Sequence, residues 1–167
     1  MQGMITALDG ISRTTGSVVR WLALGMLVSQ FLIVIARYVF GLSSIAAQES
    51  VLYMHSTMFM LGAGYTLLID GHVRVDILYD KLDRMGKNRV DLIGHIFFLM
   101  PAMVAVLYWS WPAVFNSWKI LEGPISVGGL QAVFFMKSLI PAFCILVMIQ
   151  SLSCILRILF GKGGPDG

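Results

Sequence analysis

The residues able to do chemistry are few and far apart. Histidines stand at positions 55, 72 and 95 and cysteines at 144 and 154. Two histidines on facing helices are a familiar way to hold a haem iron. Here, however, His55 falls at the start of one apolar run and His95 at the start of the next, which must travel back the other way. They therefore differ by about a dozen residues of rise, roughly 18 Å, and cannot share an iron. His72 lies between the two runs. Cys144 and Cys154 share one helical run with roughly 15 Å of rise between them, which forbids a disulfide and leaves them as packing residues. There is no Gly-x-Ser-x-Gly, no phosphate-binding glycine loop with a lysine, and no Cys or His pair at zinc spacing. The expectation is a protein without catalytic residues, metal or cofactor.

Charges inside or beside apolar runs are more telling, because an ionisable group at membrane depth is costly unless it is paired or wet. Arg37 ends one run and Glu49 opens the next, with a short connection between them. Antiparallel neighbours joined in this way place both at the same depth, and a salt bridge that ties the hairpin is the simplest outcome. Binding of a transported anion at Arg37, or of a cation at Glu49, is the sharper alternative. Lys137 is expected to snorkel to an interface or to meet an acid of a partner, and Glu122 is an exposed candidate for the same kind of contact. Gly25 with Ser29, and Gly62 with Ala63 and Gly64, are small-residue faces suited to close helix packing, within the chain or against a partner.

The elements that must position these groups follow from composition. Of the 167 residues, 57% are hydrophobic and 13% charged, with a mean hydropathy of +0.82, a balance unsuited to a water-soluble domain. A bilayer core needs about 20 mainly apolar residues of helix. Four runs qualify: Val18 to Phe40, Ser50 to Ile69, Leu92 to Trp118 (of which 92–115 would suffice), and Phe134 to Phe160, with its core over 134–158. Backbone groups in lipid must be satisfied internally, so the runs are helices and the fold class is all-α, a single membrane domain over 1–167 with four transmembrane helices. The N-terminus has no short apolar stretch followed by a small-residue cleavage site, so the first run reads as a retained anchor.

Lys and Arg set the orientation. Arg74, Lys81, Arg84, Lys87 and Arg89 crowd the segment between the second and third runs, the first connection has none, and the third has Lys119. Arg13, Arg20, Arg157 and Lys162 flank the ends, so both termini are expected in the cytoplasm. The aromatics Tyr38, Phe40, Tyr53, Trp109, Trp111 and Trp118 then fall near the outer interface. A formal charge of +3 is accounted for by these topogenic residues, not by a nucleic-acid partner. In the basic segment, Gly71 is expected to end the second helix. From Asp76 onward, Ile77, Leu78, Leu82 and Met85 can share one face of a short amphipathic cytoplasmic helix. Asn88 and Asp91 resemble a capping pair opening the third run.

Arg37-Tyr38-Val39-Phe40, Ser43-Ser44, Gln48-Glu49-Ser50, Leu61-Gly62-Ala63-Gly64-Tyr65 and Gly71-His72-Val73-Arg74-Val75-Asp76 stand in an order and spacing that resemble the small four-helix subunit of tripartite ATP-independent periplasmic (TRAP) transporters, the DctQ-like proteins. Ala46 stands where many members carry Trp. Gly128-Gly129-Leu130 with Lys137-Ser138-Leu139-Ile140-Pro141 is similar to a subgroup associated with mannitol, chloroaromatic compounds or 2-oxo acids. The resemblance implies a bacterial inner-membrane protein whose partners are a large membrane subunit and a periplasmic substrate-binding protein. It implies sodium-coupled uptake of an organic acid by an elevator motion, with sodium bound by the large subunit and this chain serving as its fixed scaffold. Two other classes fit the residues alone: the membrane anchor of a redox enzyme, and a small transporter or channel working as an oligomer.

Overall fold

The computed structural model describes residues 2–72, 79 and 82–160. These form α1 (Gln2–Val19), α2 (Trp21–Phe40), α3 (Ile45–Leu68), α4 (Arg84–Ile93), a π-helical turn (Gly94–Leu99), α5 (Met100–Lys119) and α6 (Val133–Phe160). The described residues contain no strand, in keeping with the all-α expectation.

Two of the breaks between these elements hardly interrupt the helix. Arg20 alone separates α1 from α2, and its amide still donates to the Gly16 carbonyl at 3.2 Å. Gln2–Phe40 therefore runs on as 39 residues, roughly 58 Å, well beyond the hydrocarbon thickness. The sequence reading began this helix at Val18 and did not foresee α1, because Asp9, Ser12, Arg13 and Thr14 break up the apolar run. Similarly, α4 passes through the π turn into α5. Pro101 explains that turn: it has no amide hydrogen and its ring would collide with the carbonyl four residues back, so the helix widens ahead of it. The third run thus begins at Arg84, capped by Asp83, whose carboxylate accepts the Gly86 amide at 2.9 Å. Asn88 and Asp91, expected to open it, lie inside the helix, and Asp91 accepts the Tyr79 hydroxyl at 2.8 Å instead.

Helix ends follow local chemistry. Gly41 takes the left-handed conformation after α2, and the Leu42 amide closes on the Ala36 carbonyl at 2.9 Å. Ser44 caps α3 by accepting the Ala47 amide at 3.3 Å, so α3 starts five residues before the expected Ser50. At the other end of α3 the residue with positive φ is Asp70, not Gly71; Asp is one of the few side chains that tolerates it. Gly71 supplies the amide that closes the Schellman pattern onto the Thr66 carbonyl at 2.9 Å.

Three helices are long and apolar enough to cross a membrane: Gln2–Phe40, Arg84–Lys119 and Val133–Phe160. The fourth, α3, has 24 residues but is diluted by Gln48, Glu49, His55 and its small residues. At the centre, α6 packs against α3, α5 and α1 and supplies most of the buried residues, among them Leu139, Cys144, Val147 and Gln150. By contrast, α2 packs chiefly on α3 and buries none of its residues.

Candidate functional site

The polar groups gather at the two ends of the bundle. At one end, the α2–α3 connection meets the loop between α5 and α6. Glu49, one turn inside α3, accepts the Leu130 amide at 2.6 Å. Gly129 must be glycine for this to happen, since a Cβ there would lie 2.6 Å from Glu49 Oε2, and Gly128, at φ +84°, makes the preceding turn. The same loop is tied a second time by an ion pair between Lys137 and Glu122. That pairing holds the Glu122 carboxyl below its ordinary range, with the hydrogen bond from Lys137 the largest cause. Trp118 completes the junction, donating to Ser138 Oγ at 2.7 Å and setting its ring edge-on to Phe134 at 4.7 Å.

Arg37 lies at this end but not in this cluster. It points to Ser43 Oγ at 3.5 Å and lines an open cleft with Gln30, Tyr38 and Gln48. The expected Arg37–Glu49 ion pair is not formed: Glu49 faces the α5–α6 loop, whereas Arg37 is on the exposed side of α2. Lys137 and Glu122, expected to seek separate outside contacts, find each other. Spacing could not reveal either result, because both depend on a loop folding back over the bundle end.

At the opposite end, Asp9 of α1 is a hub. It accepts Ser153 Oγ at 2.6 Å and Gln150 Nε2 at 3.1 Å, and it pairs with Arg157. In the same layer, His95 Nδ1 lies 2.9 Å from Oγ of Ser151, the residue next to Gln150. His55 instead stacks on Phe59 at 6.4 Å, so the two histidines serve different neighbours. Sequence reasoning missed Asp9 because its helix was missed. A lone acid flanked by apolar residues, with Gln150 and Arg157 inside another apolar run, was the available signal.

Between the two ends, the glycine-rich stretch of α3 separates two partners. Gly62 faces Val19 of α1, Gly64 lies so close to α6 that a Cβ on it would stand 3.3 Å from the Leu146 carbonyl, and Tyr65 covers Gly16 of α1. Gly25 of α2 likewise meets Met54 of α3. The small-residue faces are therefore packed within the chain. His72 follows Gly71 as an exposed residue; Arg74 and Asp76, with the expected amphipathic helix over Ile77 and Leu78, lie outside the described residues.

An all-helical chain with long apolar helices, and with polar side chains collected at the bundle ends, defines a multi-pass membrane protein. A family model, the DctQ component of tripartite ATP-independent periplasmic transporters, matches residues 26–161, about four-fifths of the chain. The chain belongs to that family, the small component of these transporters, which is a transporter component and not a catalytic family. No curated protein matches the chain.

Proposed function

We propose that the chain is the scaffold of its transporter: a small inner-membrane subunit that crosses the bilayer four times, with both termini in the cytoplasm. It braces a large membrane subunit that carries an organic acid by a sodium-coupled elevator motion, fed by a periplasmic binding protein. Sodium and substrate are bound by the large subunit, and this chain needs no cofactor of its own.

The observation that carries the reading is how the chain uses its polar groups. Glu49, Glu122, Lys137, Asp9 and Arg157 are spent on holding helices and loops of the chain together, while the twenty-residue α2 turns Leu24, Leu27, Phe31 and Leu32 outward. A fixed wall needs internal ties and a broad apolar outer face; a moving carrier needs polar groups converging on a solute near mid-membrane. With α3 counted as a span, the basic segment between α3 and α4 shares a side with both termini, as the bias of Lys and Arg requires.

The test is uptake into liposomes holding the large subunit, with and without this chain, driven by a sodium gradient and supplied with the binding protein. The expected outcome is sodium-dependent uptake that is lost or severely reduced without this chain. Uptake by this chain alone would overturn the scaffold reading.

A further inference from the structure

Arg13 and Arg20 are two turns apart on one face of the α1–α2 helix, about 10 Å along its axis. With Ser17, Tyr65 and Thr66 they line a cleft of about 460 Å³ between that helix and α3, floored by Gly16 and Gly62. None of the described residues lining the cleft is acidic. Among the described residues neither arginine meets a carboxylate; Arg20 lies only over the Trp21 ring, at 5.9 Å. Two arginines that meet no carboxylate of the described residues and face one cleft form a site suited to an anion from outside.

A second cleft continues from the first. It shares Arg20 and Ala23 and then runs along Trp21, Leu24 and Leu27, which are 64%, 53% and 67% exposed. The basic part therefore opens directly into an apolar furrow on the outer side of α2. The charge-free stretch Trp21 to Ala36 of this helix spans the hydrocarbon, which sets the arginines at the level of the headgroups. A molecule with an anionic head and long acyl tails fits both halves in one pose.

We propose that this paired cleft is a binding site for an anionic diacyl phospholipid, its phosphate between Arg13 and Arg20 and an acyl chain along Trp21, Leu24 and Leu27. Guanidinium groups donate to phosphate oxygens in a fork geometry, and basic pockets between helices at the membrane surface are suited to such headgroups. A lipid held here would seat the α1–α2 helix against α3 at the point where Arg20 interrupts it. The furrow shares Leu24 and Leu27 with the apolar face that the scaffold reading turns outward, but lipid binding is read on this chain alone, so its failure is distinguishable from a failure of that reading.

The experiment uses the full chain purified in detergent. Thermal unfolding is followed on adding phosphatidylglycerol, phosphatidylcholine or glycerol 1-phosphate, and native mass spectrometry counts retained lipid. Phosphatidylglycerol is expected to raise the midpoint by several degrees and the other two not to. In R13Q/R20Q the retained lipid should fall on the order of tenfold, whereas R13K/R20K keeps most of it and R84Q/R89Q is unchanged. If R13Q/R20Q fails to fold, R13Q and R20Q singly should each show a partial loss. The proposal is overturned by an equal response to phosphatidylcholine, by glycerol 1-phosphate reproducing the shift, or by undiminished retention in the glutamine variants.

Discussion

Glu49 and Glu122 hold the same loop by different means, and the difference is testable. Glu49 is half-buried and accepts a backbone amide, so removing its oxygen leaves the Leu130 N–H without a partner. Glu49→Ala is expected to destabilise the chain by about 2 kcal/mol, the usual cost of losing a hydrogen bond to a charged group. Glu49→Gln keeps an acceptor and should cost less, with assembly lowered more than solute affinity. Thermal unfolding and recovery of the complex from the membrane measure the two effects; a change in solute affinity alone would point instead to a transport site. Glu122 is tied to Lys137, and its carboxyl is held below the ordinary range. A depressed carboxylate contributes stability that is complete above its unfolded value and is lost as pH falls through the folded one. Acidification through the lower carboxylate range should therefore loosen the loop, read by the fluorescence of Trp118 beside it, and the change should vanish in Glu122→Gln.

At the scale of elements, the glycines of α1 and α3 decide how closely three helices approach. A Cβ on Gly16 would run into the Tyr65 ring, and one on Gly64 would press on the Leu146 backbone, which cannot swing away as a side chain can. Gly16→Val and Gly64→Val are each expected to cost on the order of 1–3 kcal/mol through overpacking, seen as a lower unfolding midpoint. Gly10→Ala, where a Cβ meets open space, should be neutral or slightly stabilising. The hub at Asp9 ties α1 to α6 across the sequence, so Asp9→Ala is expected to lower stability by about 2 kcal/mol. It should also raise proteolytic sensitivity near the N-terminus more than at the α5–α6 loop, which distinguishes a freed helix from general unfolding.

For the whole molecule, topology is the property on which the scaffold reading depends. With four crossings and both termini inside, a reporter active only when exported should be silent at the C-terminus and active when inserted near Ser126, in the α5–α6 loop. Activity at the C-terminus would reverse the orientation. The opposed ends of the bundle then have distinct tasks. In that orientation Glu49, Glu122, Lys137 and Trp118 would shape the face turned to the periplasm, where a binding protein would arrive, and Asp9 with Arg157 would secure the cytoplasmic side.

Much of this molecule is legible without coordinates, because a bilayer constrains a chain more simply than water does. Long charge-free runs must be helices, so the fourth run was placed to within a residue of α6, and the Arg37, Glu49 and Leu61–Tyr65 motifs pointed to the family that residues 26–161 match. The tertiary structure alone decided the pairings. Glu49 meets Leu130 across 81 positions and Asp9 meets Ser153 across 144, distances over which no periodicity carries information. It also revealed α1, whose polar residues mask it in the sequence although one of them, Asp9, ties it to α6, and it showed Arg37 and Glu49, neighbours by spacing, turned to different surroundings. Spacing sets depth along a helix, but which way a side chain points around it is settled by what the other helices offer.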